Sequence, residues 1–174
     1  FQGEIIKSIT SLIINKKKNN NETFFIIDIG SNIGDKCLSL SRRLIDNKID
    51  NFKIFSIEPT EYAYKKQQIN LELNPTLKKK IILSKLYISN NINRKSSTYS
   101  SWKLDQKSKN HKVHKGVLKK IKRDTKTISL DKFIEKNNIK KNIILKIDVD
   151  GLEMKVLKSC IKSIKKHNLT IFME

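Results

Sequence analysis

Cysteine is scarce in this 174-residue chain, which has two, Cys37 and Cys160. They lie far apart and belong to no CxxC or Cys/His ligand spacing. That excludes a disulfide framework or a zinc site as the basis of the fold and makes a reducing, cytoplasmic compartment the expectation. Long hydrophobic runs are also missing: no stretch approaches the roughly 18 uninterrupted apolar residues of a membrane-spanning helix. No secretory signal is read at the start, where Phe1-Gln2-Gly3 looks like the remnant of a cleaved tag. Arginine is the third absence. Of 37 basic residues only 4 are Arg and 33 are Lys, against 17 acidic residues, for a net charge of +20. Such a charge ordinarily suggests a polyanionic partner. Proteins that read phosphate, however, rely on the planar Arg fork, and heavy use of Lys, Asn and Ile together is what A/T-rich codons produce. The expectation is a solvated lysine-rich surface with no specific nucleic-acid face. Aromatics make up only 7% and hydrophobic residues 37%, still adequate for one domain of this length to bury a core without metal or disulfide staples.

Alternating apolar patterns organise the chain. Glu4 to Lys18 carries Ile5, Ile6, Ile9, Leu12 and Ile13 at helical spacing, so residues 4–22 read as an N-terminal helix and linker. Thr23 to Ile29 is a short apolar run suited to a parallel strand buried on both faces. Cys37, Leu38, Leu40, Leu44 and Ile45 form a helical stripe, Phe52 to Ile57 a second strand, Glu61 to Leu73 a helix closed by Asn74-Pro75, and Ile81 to Ile88 a third strand. Residues 90–115 are rich in Ser, Asn and Lys and read as a long polar loop. Val117 to Ile128 reads as an edge strand and Leu130 to Asn137 as a short helix. Asn142 to Val149, Glu153 to Lys166 and Thr170 to Met173 read as strand, helix and strand. The alternation predicts an open, mostly parallel α/β sheet with helices on both faces.

Asp28-Ile29-Gly30-Ser31-Asn32-Ile33-Gly34 falls where a doubly wound fold binds ligands, between the first strand and its helix. Glycines there allow a tight turn and a close backbone approach, and the helix N-terminus offers free amide donors. The G-x-x-x-G spacing lacks the G-x-G-x-x-G of dinucleotide dehydrogenases, which argues against NAD or FAD. Glu58 ends the second strand, the usual place for a carboxylate that accepts ribose hydroxyls. Together the glycine turn, Asp28 before it and Glu58 after it point to a nucleoside cofactor.

Three blocks resemble S-adenosylmethionine-dependent methyltransferases of the FkbM family: FIIDIGSNIG (25–34), IFSIEPTEYAYKKQQINLELN (54–74) and TISLDKFIEKNNIKKNIILKIDVDGLEMKVL (127–157). The Leu-Asp-x-Phe followed by Lys-Ile-Asp-Val-Asp-Gly-x-Glu is the more specific part. The resemblance implies a Rossmann-like methyltransferase domain over residues 23–174, S-adenosylmethionine as cofactor held by Asp28, Gly30, Ser31, Asn32, Gly34 and Glu58 with Asp148 beside them, and O-methylation of hydroxyls of sugars, lipids or secondary metabolites. The chain departs from the family at Asp150, often Glu, and at Leu152, often His, so no role for that His carries over. It also stops after its fifth strand, where the family sheet continues with a hairpin. A longer native protein, or a neighbouring copy covering that edge, is therefore expected.

Asp148, Asp150 and Glu153 gather at the end of a buried strand and the first turn of the following helix. Helix capping accounts for Asp150 and Glu153. Asp148, following the run Ile143 to Ile147, should emerge beside the cofactor crevice. There it could orient or deprotonate an acceptor hydroxyl, with Glu153 as its partner, or bind a divalent Mg or Mn ion. Ser96 to Trp102 offers hydroxyls and aromatics to a sugar or adenine, or is a plain connection. His111 and His114 read as exposed loop residues, and His167 as a favourable charge at a helix end. The leading expectation is a methyltransferase acting on a hydroxyl of a carbohydrate or similar small acceptor. An RNA methyltransferase is the rival that +20 favours, although no lysine-based catalytic tetrad can be assigned to it. A non-catalytic binding module that keeps the cofactor fold is the other.

Overall fold

The computed structural model describes residues 2–17, 22–91, 97–100, 117–120 and 125–174. Its first helix, α1 (Gln2–Lys17), begins within the first three residues, and strand β1 (Phe24–Ile29) follows. Helix α2 (Asp35–Asp46), strand β2 (Phe52–Ile57), helix α3 (Glu61–Glu72) and the short helix α4 (Pro75–Lys78) come next, then strands β3 (Ile81–Ser84) and β4 (Leu86–Ile88). Strands β5 (Ser97–Ser100), β6 (Val117–Lys120) and β7 (Lys126–Ile128) precede helix α5 (Leu130–Lys136) and strand β8 (Ile143–Ile147). Helices α6 (Glu153–Lys158) and α7 (Ile161–Lys166) and strand β9 (Leu169–Met173) complete the described chain.

The main sheet has five strands in the order β3-β2-β1-β8-β9, every pair parallel. The chain winds outward from β1 in both directions, so β1 and β8 stand side by side at the point where the winding reverses. Alternation along β1 sends Phe24 and Ile26 to one face, packed with Ile9 and Ile13 of α1 and Leu40 and Leu44 of α2. Ile27 and Ile29 go to the other, with Phe133 and Ile134 of α5 and Val156 of α6. Burial on both faces is what near-continuous apolar strands require. It leaves the carboxyl ends of β1, β2, β8 and β9 as one edge where polar residues can collect.

Four sequence expectations need correction. The third strand is two: the chain breaks at Lys85, β3 stays in the main sheet, and β4 leaves to pair with β7 in a parallel ribbon. Lys85 there reaches Glu61 at the start of α3. The expected edge strand over Val117 to Ile128 is likewise split, into β6 and β7, which belong to different ribbons. The long loop is not wholly loop, because Ser97–Ser100 pairs antiparallel with Val117–Lys120. The helix expected over Glu153 to Lys166 is broken at Ser159-Cys160. The break lets buried Ser159 serve the start of α5: the Leu130 amide donates to Ser159 Oγ at 3.2 Å and the Asp131 amide to the Ser159 carbonyl at 3.0 Å. Asp131 returns the capping, accepting from the amides of Lys162 and Ser163 at 3.2 and 2.7 Å in the first turn of α7.

Candidate active site

The loop after β1 makes a tight turn. Gly30 and Gly34 have φ of 81° and 82°, left-handed values that favour glycine, and Asn32 follows them at 52°. Close approach also demands glycine: a Cβ on Gly30 would lie 1.9 Å from the Asp148 carbonyl oxygen, and one on Gly34 would lie 2.6 Å from the Gln67 side chain. The amides of Gly30 and Ser31 both donate to the Ile57 carbonyl, at 3.0 and 3.1 Å, locking the loop onto the end of β2. Buried Ser31 donates through its hydroxyl to Gln67 Oε1 at 2.9 Å, and Gln67 donates in turn to Ser56 Oγ.

Glu58 lies at the same end. It is buried, and its hydrogen-bond donors among the described residues are neutral. The Asn32 amide donates to Oε2 at 2.9 Å and the Thr60 amide to Oε1 at 2.8 Å, with the Thr60 hydroxyl on the same oxygen. Burial raises its pKa; the Thr60 and Asn32 donors resist and nearby Asp28 adds to the rise, leaving it at about 7.

Asp28, the fifth residue of β1, is buried. Alternation along β1 turns it toward α2, where its carboxylate is 2.9 Å from Lys146 Nζ and accepts from the Cys37 thiol at 3.0 Å. Burial and the adjacent Asp28 push that thiol well above its ordinary value. Asp28 and Lys146 are register partners on β1 and β8, which explains a lysine inside an otherwise apolar strand. Asp148, half-buried just past β8, places Oδ2 at 2.8 Å from Lys36 Nζ and 3.7 Å from Lys146 Nζ. Lys36 also contacts the Glu174 carboxylate. Burial alone would raise the Asp148 pKa. Its bond with Lys36 and the charges of Lys146 and Lys36 overcome that and hold it below the ordinary carboxylate range. Burial disfavours the charge on Lys36, but the two carboxylates more than offset it and its pKa rises.

Asp148 is therefore brought to the same edge as the glycine loop, its amide donating to the Ile29 carbonyl at 3.0 Å. Glu153 is engaged locally, accepting from the Gly151 amide at 2.9 Å across the turn that opens α6. Exposed Asp150 occupies that turn at φ 49°, its pKa raised by partial burial and by Asp148 and Glu153. Among the described residues no three His, Cys, Asp or Glu side chains gather as a metal site. Ser96, Ser101, Trp102, His111 and His114 lie outside the described residues, as do the side chains of 97–100, and His167 is the residue after α7. Lys36, Lys146 and Glu174 escaped the sequence reading. Lys146 had a signal, a lone charge inside a buried strand in register with Asp28; Lys36 is one of 33 lysines and had none.

Parallel strands wound both ways from β1, with a glycine turn at the reversal point, define a doubly wound α/β protein. The chain belongs to the FkbM methyltransferase family, since the sequence model of the Methyltransferase FkbM domain matches residues 28–174. No curated protein matches the chain. Among solved structures it is similar to methyltransferase FkbM from Methylobacillus flagellatus KT, with a TM-score of 0.51 and 18% identity over 86% of this chain and 32% of that one. The likeness is one of fold, and the chain spans about a third of that protein's length. A precorrin-6y C5,15-methyltransferase from Geobacter metallireducens GS-15 aligns over 97% of this chain and 60% of that one, with a TM-score of 0.43 and 9% identity. Among the described residues no helix is long and apolar enough to cross a membrane.

Proposed function

We propose that the chain is an S-adenosylmethionine-dependent methyltransferase that O-methylates a hydroxyl of a sugar, glycan or other small acceptor, in a reducing, cytoplasmic compartment that suits its free buried thiols Cys37 and Cys160. The observation that carries the cofactor reading is the 2.9 Å bond from the Asn32 amide to Glu58 Oε2, which ties the glycine loop of β1 to the acid ending β2. The residues present fit such a cofactor. A carboxylate offers about four lone-pair sites; Asn32 and Thr60 account for three on Glu58, which leaves Oε2 able to accept a ribose hydroxyl. Helix α2 starts at Gly34 without a side-chain cap, so its first-turn amides suit a carboxylate.

The cofactor supplies a methyl group on a sulfonium, activated toward an oxygen nucleophile. The loop from Gly30 to Gly34 holds and orients it, Asp28 ties β1 to β8 beneath that loop through Lys146, and Glu58 fixes the ribose. Asp148 is proposed to receive the acceptor hydroxyl as a hydrogen-bond acceptor, because a carboxylate held below its ordinary pKa is a weak base at neutral pH. Glu153 keeps the turn after Asp148 in shape.

Calorimetry with the demethylated cofactor tests this. Glu58→Ala should weaken binding by ten- to a hundred-fold, the loss of hydrogen bonds to a charged group worth about 1.5 to 3 kcal/mol. Hydroxyl donors favour the ionised form of Glu58, so binding near pH 7 should release protons, seen as a heat that varies with the buffer. Unchanged affinity in a folded Glu58→Ala variant, or no binding by the parent, would overturn the cofactor reading.

A further inference from the structure

Five side chains at the carboxyl ends of β1, β8 and β9 alternate in sign: Asp28, Lys146, Asp148, Lys36 and Glu174. Its inner pair is nearly sealed and its outer three are partly open to solvent. Side-chain exposure is 3% and 4% for Asp28 and Lys146, then 30%, 10% and 24% for Asp148, Lys36 and Glu174. Lys36 is unusual within it. It is the second residue of α2, so the glycine loop sets its position, yet its ammonium sits between carboxylates 112 and 138 residues away in sequence.

We infer that Lys36 is the resident cation of the acceptor side of the site, filling the place between Asp148 and Glu174 that a divalent ion would need. An ammonium has three donors and no acceptor, and two of them bring together the ends of neighbouring strands, as a metal would. A hard divalent ion would require those same carboxylate oxygens at about 2.0 to 2.6 Å. It would meet the Lys36 charge in their midst and the Lys146 charge 3.7 Å from Asp148 Oδ2. The carboxylates of this edge are thus a lysine-held pair. Lys36 is a positioning residue that acts through Asp148, fixing the carboxylate relative to the loop from which Lys36 itself springs. The inference deepens the proposed function by naming what holds its acceptor side. Its test uses neither cofactor nor acceptor, so its failure is distinct from failure of the cofactor reading.

Mn²⁺ is the probe, followed by electron paramagnetic resonance and calorimetry on the whole chain. Mn²⁺ binding by the parent should be weak and identical in Asp148→Asn. Lys36→Ser removes the ammonium and leaves room; it should bind one Mn²⁺ at least tenfold more tightly than the parent, and adding Asp148→Asn should abolish that gain. Lys36→Arg, which keeps a charge, should behave as the parent. Three results would each overturn the inference: parent Mn²⁺ binding that disappears in Asp148→Asn, no gain in a folded Lys36→Ser, or the same gain in Lys36→Arg as in Lys36→Ser. The first comparison uses no Lys36 variant, so it decides the matter even where Lys36→Ser does not fold.

Discussion

The end of β2 and the end of β8 each present a carboxylate to the same edge of the sheet, and the two are solvated in opposite ways. Glu58 has neutral partners, two amides and a hydroxyl, and burial leaves its pKa at about 7. Asp148 has ammonium partners and is held below the ordinary range. The nature of the partner, and not burial alone, therefore decides which acid can exchange a proton at neutral pH. The β2 end of this edge is poised to titrate, and the β8 end favours its charged form.

The strongest way to break this contrast is Lys146→Met. It leaves the Asp28 carboxylate buried without its cation, which should cost about 3 to 5 kcal/mol in urea unfolding, and Asp28→Asn in the same chain should recover part of the loss. Gly30→Ala strikes where the two ends meet, because its Cβ would fall 1.9 Å from the Asp148 carbonyl at φ +81°. About 2 to 3 kcal/mol of destabilisation is expected in thermal melts.

Glu58→Gln sharpens the contrast through pH. The folded-state pKa of Glu58 lies above its ordinary 4.5, at about 7, so between those values the folded chain binds more protons than the unfolded one. Its contribution therefore makes stability fall as pH rises through that window, by about 3 kcal/mol at most. Denaturation midpoints of Glu58→Gln against pH should lose this component relative to the parent. Ser41→Ala gives the smallest effect, and of opposite sign. Ser41 Oγ is buried in α2 without a hydrogen-bond partner among the described residues, so its removal should be neutral or stabilising by up to about 1 kcal/mol in the same assay.

The two ends also differ in how far the sequence reveals them. Gly30, Gly34 and Glu58 lie beside turns and strand ends whose apolar runs mark them, so the β1–β2 end is written in local pattern. The Lys36–Asp148–Glu174 cluster joins three distant segments and has no local period to betray it. The same physics hid the strand break at Lys85, where LSKLYI keeps an apolar pattern although β4 leaves the sheet. It also hid the helix break at Ser159-Cys160, because Ser and Cys are tolerated in helices and the reason for the break is α5, met only in the folded chain. The parallel sheet itself was legible, since FFIIDI, FKIFSI and IILKI are too short and too apolar for amphipathic helices.

That helix break bears on the order in which the molecule assembles. Helices α6 and α7 have six residues each and α5 has seven, well below the roughly 12 to 15 at which an isolated helix begins to persist in water. Each of α5 and α7 has its first turn completed by a residue of the other segment, Ser159 for one and Asp131 for the other. Neither start is complete until both are in place, so this corner should form, and open, as a single cooperative unit whose amides exchange with solvent together. Because α6 follows directly from the turn after Asp148, the carboxylates and lysine at the end of β8 should acquire their final geometry only when that unit closes.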